Sequence, residues 1–296
     1  MRIFPPNKLF KLLTQWPTEW LTEWLPKHPN TPFFLLAVFA LQFHSGALAQ
    51  SDWRAQIPSL PNAELILLGE QHDAPEHQEL ARLSVEALAS KQALSALVLE
   101  MADAGVSTEG MPTDSSEAAV RVQLKWNEAG WPWSRYGPIV MQAVRAGVPV
   151  VGSNLPRSSM TMVMKDDAWD GKVPSTVLAG HRERMIQGHC GLLPESQVPA
   201  MARIQVARDE RMAQTASTWM RSGKSVLLLA GAEHVKKDRG IPLLLDAKSK
   251  GKVTVVWMHA AVAVKKDPAL ADLDWQTPPV PFKDYCADMK KSMGQK

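Results

Sequence analysis

Short apolar runs of strand length alternate along this chain with stretches whose apolar positions recur every three or four residues. The runs at 63–68, 96–100, 148–152, 225–230 and 253–258 read as buried strands. Between the first two, Leu80, Leu83, Val85, Ala87 and Leu88 supply one face of a helix. It opens at Pro75 and Glu76, with Asp73 as its expected cap, and runs to about residue 91. Residues 105–113 read as a loop, followed by a helix from Ser115 or Ser116 to about Trp126. The Gly-, Pro- and Trp-rich stretch 128–138 reads as turns, and a helix follows over 139–146, stopped by Gly147. No strand pattern occurs over 158–222, where 174–187 and 194–220 look helical. A last helix is expected over 241–248, and the tail after Pro268 reads as irregular.

Strands alternating with helices predict an α/β fold: a mostly parallel β-sheet flanked by helices. The stretch between the third and fourth strands is too long for one crossover, so 158–222 is expected to form a helical insertion, or lid. Residues 50–157 and 223–296 then form the α/β core. Ligands of such sheets sit outside the carboxyl ends of the strands. Glu70, His72, Glu100, Asn154, Glu233 and His234 should converge there.

The N-terminal 49 residues read as a signal peptide with a long leader. The apolar stretch 32–41 is too short to span a bilayer comfortably, and Ala47-Leu48-Ala49 fits a cleavage site before Gln50. Export to a bacterial periplasm or envelope follows, and no cysteine near the cleavage site suggests a lipid anchor. The leader carries Trp16, Trp20 and Trp24, which suit either an amphipathic surface helix or a start codon placed too far upstream. The 296 residues are 45% hydrophobic, enough for one sizeable core, and the net charge of +3 with no basic cluster argues against a nucleic-acid partner. Cys190 and Cys286 are the chain's two cysteines. In an oxidising compartment they would pair, tying the tail to the middle of the chain; otherwise they are two buried thiols.

Two strands end in nearly the same way, in Gly69-Glu70-Gln71-His72 and in Gly231-Ala232-Glu233-His234. Residues two apart in an extended segment share a side, so Glu70 and His72 should face the same way. With Glu100 at the end of the second strand, the set Glu70, His72, Glu100 and His234 could bind a divalent metal such as zinc or manganese. The same groups could serve as general acid and base. Arg157, Arg208 and Arg211 are candidate partners for ligand carboxylates, although 208–211 also reads as a solvated helix face. Met160, Met162 and Met164 alternate as in a strand or extended loop.

The segment from Gly69 to Asp73 with Pro75-Glu76-His77 resembles the opening motif of the ChaN family of haem-binding proteins. That family shares a superfamily with the Tiki and TraB proteins and the erythromycin esterases. The likeness continues through 97–101, Trp133, Tyr136-Gly137-Pro138, 153–157, 205–213 and 231–242. It implies haem, with its iron, as ligand and a role in haem or iron uptake, possible pairing of two copies, and an outer-membrane uptake system as partner. It also implies iron held through a tyrosine, for which Tyr136 is the candidate because Tyr285 lies in the tail. His72, Arg157, Arg208 and His234 complete the expected haem-binding set. The chain makes two departures from the family pattern: Ala232-Glu233 stand where Asn-Gly is expected, and Arg239 where an aromatic is often found. The Tiki branch implies the alternative, a metal-dependent hydrolase using Glu70, His72, Glu100 and His234.

Overall fold

The computed structural model describes residues 52–261 and 265–293; the leader and the cleavage site after Ala49 lie outside the described residues. Six strands form one sheet: β1 (Leu65–Glu70), β2 (Leu94–Asp103), β3 (Val150–Asn154), β4 (Ser225–Gly231), β5 (Val253–Ala260) and β6 (Leu273–Thr277). Their order is β3-β2-β4-β1-β5-β6, and every pairing is parallel. β1 is buried at all six positions because both faces of the sheet are covered. Ile66 and Leu68 join one apolar cluster with α1 (Pro75–Ser90) and α3 (Trp133–Arg145). Leu65 and Leu67 join another with α6 (Val198–Trp219) and α8 (Ile241–Leu244). This two-sided division follows from the alternating direction of successive strand side chains.

The remaining helices are α2 (Glu117–Gln123), α4 (Arg157–Lys165), α5 (Ser175–Gly188), α7 (Ala232–Val235), α9 (Ala247–Lys250) and α10 (Tyr285–Met293). The chain steps from β1 to β2 to β3 in one direction across the sheet and then returns to β4, β5 and β6. Right-handed crossovers put the first set of helices on one face and the second on the other. The loops after β4 and its neighbours β1 and β2 therefore leave toward opposite faces. That opens a crevice at their carboxyl ends.

Several expectations are corrected. Asp73 does not cap α1; Ala74 holds that position, and the Asp73 carboxylate instead accepts from Gln71 (2.8 Å) and from Tyr285. α3 starts at Trp133 rather than after Pro138, because the Glu128 carboxylate accepts the Trp133 N–H (3.2 Å) and caps the helix from outside. Tyr136 thereby becomes a helical residue. Met160 and Met164 lie on α4, four apart and packed against Leu155, Val163, Ile204 and Ala207, so their spacing is helical. The 241–248 helix breaks into α8 and α9, with Asp246 capping the second. The tail is not irregular: β6 extends the sheet, with Trp275 buried and its indole N–H on Ser59 Oγ (3.1 Å). The Cys190–Cys286 disulfide is present, Cα atoms 5.6 Å apart, and fastens α10 to the end of α5.

Candidate functional site

Two imidazole–carboxylate units meet at the crevice. In the first, Glu70 at the end of β1 accepts from His72 Nδ1 (2.9 Å) and from the Tyr136 hydroxyl (2.8 Å) on the same oxygen. Gln78 of α1 donates to its other oxygen. In the second, Glu100 of β2 accepts the Gly231 N–H (2.7 Å) and lies 3.4 Å from His234 Nε2. His234 Nδ1 is bonded to Asp209 of α6. The units touch where His72 Nε2 stands 3.9 Å from Glu100. A Cβ at Gly231 would lie 2.9 Å from His72 Nε2, so a larger residue there would push that ring aside.

Burial and charge act in opposition here. Burial disfavours an imidazolium at His234, but the Glu100 and Asp209 carboxylates outweigh it and hold the ring protonated. Burial likewise opposes charge on His72, and the Glu70 hydrogen bond with the Glu100 charge raises its pKa nonetheless. Burial raises Glu100, yet the His234 and His72 charges pull it well below the usual carboxylate range. Burial dominates at Asp209, pushing it up to about 6. Burial, followed by the Glu70 charge, pushes the Tyr136 phenol far above its ordinary value.

Two cavities flank the His72–His234 pair. One, about 810 Å³, runs along the ends of β1, β4 and β5, with Trp257, Met258, Ala260 and Ala261 as its apolar wall and Arg135, Lys236 and Tyr285 on its rim. The other, about 620 Å³, is walled by Trp131, Met160, Lys125, Arg157 and Arg208. Arg208 Nε is buried there without a partner. Trp131 also stacks edge-on against His72, ring centres 4.9 Å apart.

The expected residues divide as follows. Glu70, His72, Glu100 and His234 come together, as two hydrogen-bonded imidazole–carboxylate units. Among the described residues no group of three or more His, Cys, Asp and Glu is arranged to hold a metal ion. Tyr136 is 1% exposed and lines neither cavity. Its hydroxyl donates to Glu70 (2.8 Å). Arg157 and Arg208 line the second cavity, whereas Arg211 is exposed on α6. Asn154 also reaches that cavity, but its side chain accepts the Leu155 N–H (2.8 Å). Glu233 lines the larger cavity and is paired with Lys236, Arg184 and Arg239. Sequence reading missed Asp209, hidden in a run of charges. Its spacing from Val206, Ala213 and Ala216, all buried, would have placed it on the inner stripe of α6. It also missed Gln78, the β5 wall and Tyr285.

A family model, described as haem-binding uptake, Tiki superfamily, ChaN, matches residues 57–245. This chain belongs to the ChaN family. Its fold is similar to that of ChaN of Campylobacter jejuni, a structure of cofacial haem binding. The two are 24% identical over 74% of this chain and 89% of that chain, with a TM-score of 0.58. More distant are the type III effector HopBA1, 15% identical over 73% of this chain and 88% of that one with a TM-score of 0.41, and a Bacillus cereus protein, 14% identical over 70% and 69% with a TM-score of 0.37. No curated protein matches the sequence. The family match covers β1 to β4 and α1 to α8; β5, β6 and α10 lie beyond it.

Proposed function

We propose that this ChaN-family protein is an exported haem-binding protein that handles haem or iron in a bacterial envelope, and that it binds haem at the carboxyl edge of the sheet. The observation that carries the reading is the pair of cavities. An apolar wall of Trp257, Met258, Ala260 and Ala261 suits a flat macrocycle. A guanidinium whose Nε is buried without a partner suits a carboxylate, and haem combines such a face with two carboxylates. Trp257 and Trp131 would contact the ring, and Arg157, Arg208 and Arg135 would meet the propionates. Bound haem would supply an iron centre with redox and ligand-exchange chemistry. The chain's own part is to exclude water from one face, to keep His234 charged and to raise the basicity of His72 beside it.

Export is supported by the signal-like leader and by the disulfide, which joins the chain's two cysteines. Pairing of two copies and delivery to an outer-membrane uptake system belong to the same reading.

Titration of the purified mature chain with ferric haem tests it. We expect a saturable Soret band at a defined stoichiometry, weakened by Arg208→Ala, with light scattering reading the oligomeric state before and after loading. Failure to bind haem, together with stoichiometric zinc or manganese, would sink the reading in favour of a metal centre.

A further inference from the structure

We propose that the smaller cavity is a binding site for a free oxyanion of phosphate's charge and size, held by Lys125, Arg157 and Arg208, and that this anion competes with haem. The competition rests on the haem reading above; the anion site stands without it.

The three cations reach one space of about 620 Å³ from three separate elements. Lys125 lies just past α2, Arg157 opens α4, and Arg208 belongs to α6. Among the described residues none of the three forms an ion pair. The acids on the same wall do not balance them. Glu100 is committed to the Gly231 N–H (2.7 Å) and to His234. Asp103 is the other, and it forms no ion pair either. With Glu100 and His234 set against each other, the lining keeps three cations against one carboxylate, an excess that a dianion would cancel.

Depth divides the work among them. Arg208 Nε is buried without a partner, so that N–H has lost its hydration and gained nothing in return. An oxyanion accepting from it removes that cost, and a guanidinium matches two phosphate oxygens at once. Lys125 and Arg157 are exposed, where their charge draws an anion inward. The positive end of the nine-residue α4 adds to theirs, since Pro156 at its N-cap position offers the first N–H groups no side-chain acceptor.

Lys125 gives an independent sign. Its backbone is left-handed, φ 49°, at the position after a helix end where glycine is ordinarily found. A lysine there gives up local stability, and its ammonium makes no hydrogen bond or ion pair among the described residues to recover it. A ligand held by that ammonium accounts for the strain. Because Arg157 and Arg208 would also meet the propionates, occupancy by the anion excludes haem, and haem the anion.

The test is calorimetric titration of the haem-free mature chain with inorganic phosphate at fixed ionic strength. We expect one saturable site, weakened about tenfold by Arg208→Ala. Arg211→Ala, which removes an exposed cation of α6 outside the cavity, should bind as the wild type does. Lys125→Gly separates binding from folding: it should melt no lower than the wild type, since glycine suits that φ, yet hold phosphate more weakly. No binding, or binding that Arg208→Ala and Lys125→Gly leave unchanged, overturns the site. Binding to phosphatidic acid–phosphatidylcholine vesicles without binding of free phosphate assigns the cations to a lipid headgroup and also overturns it. Added phosphate should raise the haem concentration at half-maximal Soret absorbance in proportion to its own concentration. An unshifted haem titration overturns the competition while the anion site stands. If the wild type binds phosphate but no haem, it is the haem reading that fails.

Discussion

Replacing His234 by glutamine tests the central electrostatic feature of the crevice. The side chain is a single buried cation placed between two buried carboxylates, Glu100 and Asp209. His234→Gln keeps hydrogen-bonding capacity but removes that charge, leaving Glu100 with only the nearby His72 and Asp209 with no counter-ion in contact. Removing one member of a buried ionic group costs about 3–5 kcal/mol. For a domain of this size that is a fall in Tm of roughly 6–20 °C. The pH dependence separates charge from packing. In the wild type, His234 holds Glu100 far below its ordinary pKa. Without it, burial raises both carboxylates above their unfolded values. A raised folded pKa favours the native state below the unfolded pKa and disfavours it above, so the deficit should be largest near pH 7 and shrink toward pH 4. Urea denaturation of both proteins from pH 7 to 4 measures the difference, in which other titrating groups cancel. A deficit under about 1 kcal/mol, or one constant with pH, would refute the reasoning, because loss of packing alone does not titrate.

Three further outcomes are expected. Burial holds His77 down to about 4, so its contribution is intact above its unfolded pKa of about 6.5 and is lost as pH falls through 4; this is about 3 kcal/mol, read as a falling urea midpoint that His77→Gln flattens. Gly240→Ala would bring a Cβ to 2.0 Å from the His234 carbonyl oxygen, so its Tm and soluble yield should collapse, whereas Gly171→Ala, with open space around it, should match the wild type. Tyr136→Phe should cost about 1–2 kcal/mol by thermal melting, since Glu70 keeps His72 and Gln78 as partners.

The sheet was legible wherever burial on both faces makes a strand uniformly apolar, as in β1 and β4. The crevice was legible for the same reason, since a Gly followed by charged residues directly after such a run marks a strand end. What escaped depended on contacts distant in sequence. β6 alternates Leu273, Trp275 and Thr277 with polar residues, but over only five positions beside prolines. The start of α3 depends on Glu128, a cap lying outside the usual position. Local pattern says nothing of which phenol ends up beneath a carboxylate, as Tyr136 does, and which lines a cavity, as Tyr285 does. Asp209 resembled its neighbours Arg208 and Glu210 in sequence, and only the phase of α6 separates them.

The strand order also bears on how the chain reaches this state. β1 is the first strand made, yet residues 65–70 pair with 226–231 on one side and residues 65–69 with 253–257 on the other. Until most of the polypeptide has left the ribosome, this apolar strand has two open edges and no native partner strand. Such long-range parallel pairing slows folding and exposes intermediates to aggregation. The nascent chain therefore has a long window in which a holding chaperone would find its target in 65–70. A single charge at Leu67 should shorten that interaction while abolishing the native sheet.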